Sequence, residues 1–219
     1  MRTKRIATLL LAALLTLPLA GCSIGKSSRY AAMSIHPAQL TEEEERMAQL
    51  LDTSLDSYRI FDFQMGDKPN DVQTVQTAIY ELVDGEWKSL FLGQEAFLDT
   101  TGRIALSFGR LTEGVNLSVQ SEGGYGTRSF TVEAEDDVSS MACLTAVLRE
   151  TATMEFDKEV PLVVQIATAK SEIFSTDVNS FYTPEQYEKR GYEHVYAITV
   201  MFSQKTPAEL ARETQKGSQ

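Results

Sequence analysis

The chain holds little of what catalysis and covalent cross-linking usually draw on: among 219 residues there are two cysteines, two histidines and one tryptophan. With only His36 and His194, histidine-based catalytic constellations are thinly supplied. No Gly-x-Ser-x-Gly elbow, His-Glu-x-x-His, Cys-x-x-Cys, Walker loop or Gly-x-Gly-x-x-Gly occurs. These absences count against serine hydrolases, the commonest zinc proteases, thiol oxidoreductases and nucleotide-binding enzymes. A glycosidase stays open, because its two carboxylates can lie anywhere in a sequence. Basic charge is also scarce, 20 Lys and Arg against 31 Asp and Glu for a formal charge of −11. Such a surface repels nucleic acid and anionic headgroups, so no nucleic-acid partner is expected. No stretch supplies the about 20 apolar residues that a membrane-spanning helix needs.

What is present is most informative at the start. Arg2, Lys4 and Arg5 precede an apolar run from Ile6 to Ala20, broken only by Thr8, Thr16 and Pro18, and Gly21-Cys22 follows. That order is the basic, apolar and small-residue sequence of an export signal. The segment Leu19-Ala20-Gly21-Cys22 resembles the lipobox of bacterial lipoproteins. The resemblance implies cleavage before Cys22, a diacylglyceryl group on its thiol, and a position on the extracytoplasmic side of the cell membrane with the lipid bilayer as partner. Two acyl chains anchor a protein stably without a transmembrane helix. Residues 1–21 hold three basic groups and no acidic one, so the remaining chain carries −14 and lipid alone must hold it to the membrane.

If Cys22 carries lipid, Cys143 has no partner within the chain. Its setting, Met141 to Leu148, predicts a buried small hydrophobe. Residues 22–38 read as a flexible lipidated spacer. A helix plus sandwich domain is expected over 39–205, and a short helix with a polar tail that frays after Ala211 over 206–219. Thr41 and Glu44 fit a capping box, and Met47, Leu50, Leu51 and Leu55 recur with helical spacing, which predicts an amphipathic helix from Thr41 to about Leu55.

From Tyr58 the apolar period shifts to two. It is seen at Phe61/Phe63/Met65, Ala78/Tyr80/Leu82, Ile104/Leu106/Phe108, Val115/Leu117/Val119, Phe130/Val132, Leu162/Val164/Ile166 and Tyr196/Ile198/Val200/Phe202. Turn residues separate these runs at 66–70, Asp84-Gly85, Thr101-Gly102, Glu113-Gly114 and 123–126. Asp84-Gly85 is the strongest hairpin signal and would place Trp87 across that hairpin. Thr183-Pro184 and Thr206-Pro207 each predict a short late helix. Seven or eight evenly spaced strands without interleaved helices predict a mainly β fold, a single antiparallel β-sandwich or jelly-roll-like domain.

Two clusters invite a chemical reading. Between Phe181 and Tyr196 lie five aromatic residues and His194 within sixteen positions. Tyr182, Tyr187, Tyr192 and His194 are the candidate ligand-binding residues, since tyrosine joins a flat apolar face to a hydrogen-bonding tip. The same residues suit packing at one end of a sandwich, and Tyr196, in phase with Ile198 and Val200, belongs to the core. The acidic run from Glu133 to Asp137 lacks the spacing of an EF-hand and reads as a solvated loop, as do Asp62, Asp67 and Asp71 around an earlier turn. No catalytic residue, metal or cofactor is assigned. The strand-rich body with its Tyr192–Tyr196 segment resembles uncharacterised lipoproteins of Gram-positive bacteria, a resemblance that implies no activity and carries over no site residue. The expectation is a non-enzymatic binding module for an envelope protein or a glycan, with a carboxylate-dependent polysaccharide hydrolase as the alternative. A transporter's solute-binding component is disfavoured by the one-domain length and the period-two pattern.

Overall fold

The computed structural model describes residues 33–51, 58–66, 74–131, 138–174 and 176–217. The chain divides into two units, Met1–Tyr30 and Ala31–Gln219. The first, where the export signal and the lipid-bearing Cys22 are expected, lies outside the described residues, as do Leu55, Asp67, Asp71 and the Glu133–Asp137 run.

The second unit is mainly β, with eleven strands in two antiparallel sheets and short helices. Strands β1 (Ser34–Pro37), β2 (Tyr58–Gln64), β5 (Thr101–Ser107), β6 (Val115–Ser121), β7 (Gly124–Phe130) and β9 (Ala152–Thr153) form the first sheet, in the order β7-β6-β5-β2-β1-β9. Strands β3 (Thr74–Val83), β4 (Glu86–Ala96), β8 (Ala142–Val147), β10 (Val160–Thr168) and β11 (His194–Ser203) form the second, in the order β4-β3-β11-β10-β8. Helix α1 (Glu42–Leu51) links β1 to β2, α2 (Glu185–Arg190) precedes β11, and α3 (Pro207–Gly217) follows it.

The sheets pack face to face because each offers alternate apolar residues to one core. Ile35, Phe61, Phe63, Ile104, Leu106, Leu117 and Val119 come from the first sheet, and Val75, Ile79, Tyr196, Ile198, Val200 and Phe202 from the second. At one side the edge strands of opposite sheets, β4 and β7, are joined by side chains. Phe91 stacks on Phe130 at 4.3 Å, and Arg128 Nε donates to Glu95 Oε1 at 2.9 Å. Gly126 lies close under this pair, where a Cβ would force the Glu95 carboxylate to shift.

Several expected features appear. Asp84 and Gly85 have φ of 51° and 79°, the two positive values of a tight hairpin turn. Trp87 pairs with Leu82 across it. The Thr41 N–H donates to Glu44 Oε2 at 2.8 Å while Glu44 N–H donates to Thr41 Oγ1 at 3.3 Å, the reciprocal capping box. Thr206 and Glu209 repeat this pair before α3.

Other expectations are corrected. Residues 34–37 are no spacer: β1 lies between β2 and β9, and Ile35 is fully buried. Thr101-Gly102 opens β5 instead of turning, and 124–126 belong to β7, so that hairpin turns at Glu122-Gly123. Leu162, Val164 and Ile166 do not share a face. A bulge between Pro161 and Val163 shifts the phase, sending Leu162 into the inter-sheet core and Val164 and Ile166 to the opposite side. Met47 and Leu50 of α1 are exposed, so neither is buried against the body. Cys143 is exposed on β8, not buried, with a thiol whose pKa is raised by desolvation. Helix α3 continues past Ala211 to Gly217, held by its buried Leu210.

Candidate functional site

Of the residues expected to bind a ligand, Tyr187 and Tyr192 lie on the far face of the second sheet, in and against a second core of Val164, Ile166, Phe181, Tyr187, Val195 and Ala197, whereas His194 is in phase with Tyr196 and stacks on its ring. Tyr187 is only 3% exposed and offers no free face. Its hydroxyl lies 3.0 Å from Thr176 Oγ1, and its ring meets Trp87 edge-on. Trp87 stacks on Phe181 at 5.0 Å and donates its Nε1–H to the Phe181 carbonyl at 2.8 Å. Tyr192 accepts the Phe174 N–H at 3.0 Å, and Nδ1 of His194 lies 3.1 Å from Glu81 Oε1. Tyr187, Tyr192 and His194 line one small cavity of about 280 Å³ with Glu81, Glu188 and Glu193. The Glu193 carboxyl is lowered, chiefly because it accepts the Thr168 hydroxyl.

Tyr182 is not part of that group. It is 57% exposed, donates to the Glu159 carbonyl at 2.8 Å, and lines a separate cavity with Glu155 and Glu159. Both carboxylates there are engaged. Glu155 pairs with Lys158 at 2.7 Å, and Glu159 Oε1 accepts from Tyr80 at 2.5 Å and Thr199 at 3.1 Å. The structure thus buries Tyr187, sets Tyr192 and His194 beside it around one small cavity, and leaves Tyr182 apart and exposed.

A more open surface lies on the outer face of the first sheet. Because Ile35, Phe63, Ile104 and Val119 point into the core, their strand neighbours point out. The pairing register then aligns one outward residue from each of five strands. His36 faces Asp62, Asp62 faces Arg103, Arg103 faces Gln120, and Gln120 faces Tyr125. At ~4.8 Å per strand this row spans about 19 Å. Part of it floors a groove of about 670 Å³, lined by His36, Asp62, Arg103 and Gln120, with Glu44 of α1 and Glu122 of the β6–β7 turn also contributing. The sequence concealed the row because its members are scattered over ninety positions and meet only through register.

The row is held at its centre and free at its end. Arg103 donates from Nε to Asp62 Oδ1 at 2.7 Å and from Nη1 to Glu44 Oε1 at 2.6 Å. Gln120 and the 83% exposed Tyr125 make no side-chain hydrogen bond among the described residues. The surrounding positions are also uncharged. On β6 the outward residues are Asn116, Ser118 and Gln120, and on β7 Tyr125, Thr127 and Ser129. They pair as Ser118–Thr127 at 3.0 Å and Ser129–Asn116 at 2.5 Å. In a chain with 31 acidic residues, these six positions carry none.

Glu44 makes the groove's wall sensitive to acid. Its carboxyl is held at about 2, first by the Thr41 N–H, then by the Arg103 guanidinium and the Thr41 hydroxyl. Because the folded value lies below the ordinary 4.5, these contacts favour the ionised form, act fully above pH 4.5 and are lost as pH falls toward 2. A carbon-detected NMR titration should find the Glu44 midpoint near 2 and moved upward in Thr41→Ala; a midpoint near 4.5 would refute the contacts. Compared with protein-family models, curated proteins and solved structures, the chain gives no match, so geometry alone speaks for this site.

Proposed function

We propose that the chain is a lipid-anchored extracytoplasmic protein whose β-sandwich body is a non-enzymatic binding module, with the outer face of the first sheet as its binding surface. The uncharged polar face of β6 and β7, continuous with the Arg103 groove, carries this reading. An acidic body that needed only solubility would place charge there as it does elsewhere. The anchor rests on the Leu19–Cys22 lipobox resemblance. Among the described residues no helix is long and apolar enough to cross a membrane.

With β1 starting at Ser34, the eleven residues 23–33 separate Cys22 from the first sheet. At ~3.3–3.6 Å per residue the body stays within about 40 Å of its anchor. That reach suits a partner in the membrane-proximal envelope. The Tyr182 cavity lends a hydrolase reading no support, because its carboxylates are committed to Lys158, Tyr80 and Thr199.

The anchor is tested by growing cells with a labelled fatty acid and comparing the parent with Cys22→Ala. The parent should carry label and sediment with membranes, and the variant should lose label and appear in the soluble fraction. Equal labelling and sedimentation of both would overturn the reading.

A further inference from the structure

Resting on the binding-module reading, we infer that the groove and row on the first sheet take a neutral glycan. Three observations select that chemistry. First, Arg103 lies between Asp62 and Glu44, so the centre of the groove carries one cation against two anions and repels phosphate and carboxylate polymers. Those two carboxylates are already committed to Arg103, which leaves Glu122 of the β6–β7 turn as the one lining carboxylate without a salt bridge among the described residues for a cationic peptide to pair with.

Second, the groups left over are those that hydroxyls satisfy. The Gln120 amide offers a donor and an acceptor, and Arg103 keeps Nη2 without a hydrogen-bond partner among the described residues. Third, Tyr125 stands 83% exposed one strand beyond Gln120, a flat ring on which a sugar's C–H face stacks. A bare tyrosine beside unpartnered planar polar groups, spread over a rigid sheet, fits an extended chain of sugar rings better than a compact ligand. The contacts are few and solvent-exposed, so affinity per site is weak and a repeating polymer compensates by offering many sites.

The test is electrophoresis of the full chain, in neutral detergent, through native gels containing soluble β-glucan, mannan or chitin oligosaccharides, with polygalacturonate and polylysine as charged controls. At least one neutral polymer should retard the protein. Tyr125→Ala and Gln120→Ala should each weaken that retardation at least tenfold, while Lys88→Ala on β4 behaves as the parent. Neither site residue has a side-chain hydrogen bond among the described residues, so both variants should match the parent in thermal unfolding. Retardation unaffected by the two variants, or by no neutral polymer, overturns the inference. Retardation by polylysine alone, lost in Tyr125→Ala, overturns the glycan but leaves a binding module with a cationic peptide as ligand.

Discussion

Replacing Ile35 with Ala should cost about 2–5 kcal/mol of stability, the range for removing a fully buried aliphatic side chain. Ile35 is fully buried in the inter-sheet core, on a strand flanked on both sides. β1 pairs with β2 along Ser34–Pro37, and with β9 at Ser34 and Ile35. Its loss would open the first sheet between those strands and expose the Ile35 side of the core. A full chain lacking residues 34–37 should therefore lose its cooperative unfolding transition. Denaturant titration followed by circular dichroism checks both variants. A deletion that leaves the unfolding free energy within about 0.5 kcal/mol of the parent would make β1 the spacer that the sequence suggests.

The second large effect concerns a polar side chain inside the sandwich. Gln165 on β10 is 2% exposed and joins three parts of the fold. Its Oε1 accepts the Leu111 N–H at 2.8 Å, and its Nε2 donates to the Gly109 carbonyl at 3.1 Å and Thr145 Oγ1 at 2.9 Å. Residues 109 and 111 belong to the connection between β5 and β6, which reaches into the core through the fully buried Leu111. Gln165→Ala leaves the Leu111 amide and the Gly109 carbonyl without this partner and adds a void, for about 2–4 kcal/mol in all. Gln165→Leu fills most of the volume and should still cost about 1–3 kcal/mol, because the orphaned main-chain groups remain. Urea unfolding of both variants at unchanged slope measures this. A Leu variant as stable as the parent would show that the hydrogen bonds do not fasten the connection.

Local chemistry in the sequence went far toward the fold. Thr41 with Glu44, Thr206 with Pro207, Asp84-Gly85 and the alternation of Val115, Leu117 and Val119 each encode their structure within a few residues, and all were legible. What stayed hidden depends on distant partners. β1 has four residues, one of them proline, too few to show a period, and only the register with β2 and β9 makes it a strand. The bulge at Pro161/Val163 is a mismatch between strands and leaves no mark in a single one. Strands β10 and β11 are covered on both faces, which blurs the apolar and polar alternation that a half-buried strand shows.

The candidate site follows the same division. The aromatic density of 181–196 was conspicuous, but the structure divides it: Phe181, Tyr187 and Tyr192 belong to a second core with Trp87, Tyr196 to the inter-sheet core, and Tyr182 to the surface. The outward row was inconspicuous because polar residues at alternate strand positions, such as Asn116, Ser118 and Gln120, look like any solvated face until pairing brings Arg103 and Tyr125 beside them. The informative feature was the missing charge on the outward face of β6 and β7, not the aromatic density of 181–196.

The most direct test of the binding surface is site-specific photocrosslinking in growing cells. A benzophenone amino acid would replace Tyr125, and in parallel Lys88 on β4 of the other sheet, in the full chain with Cys22 intact. Adducts should form from position 125 in the membrane fraction, shift to a discrete or polymeric product, and be absent from position 88. Equal adducts from both positions, or adducts from position 88 alone, would contradict the assignment of the outer face of the first sheet as the surface through which this protein binds.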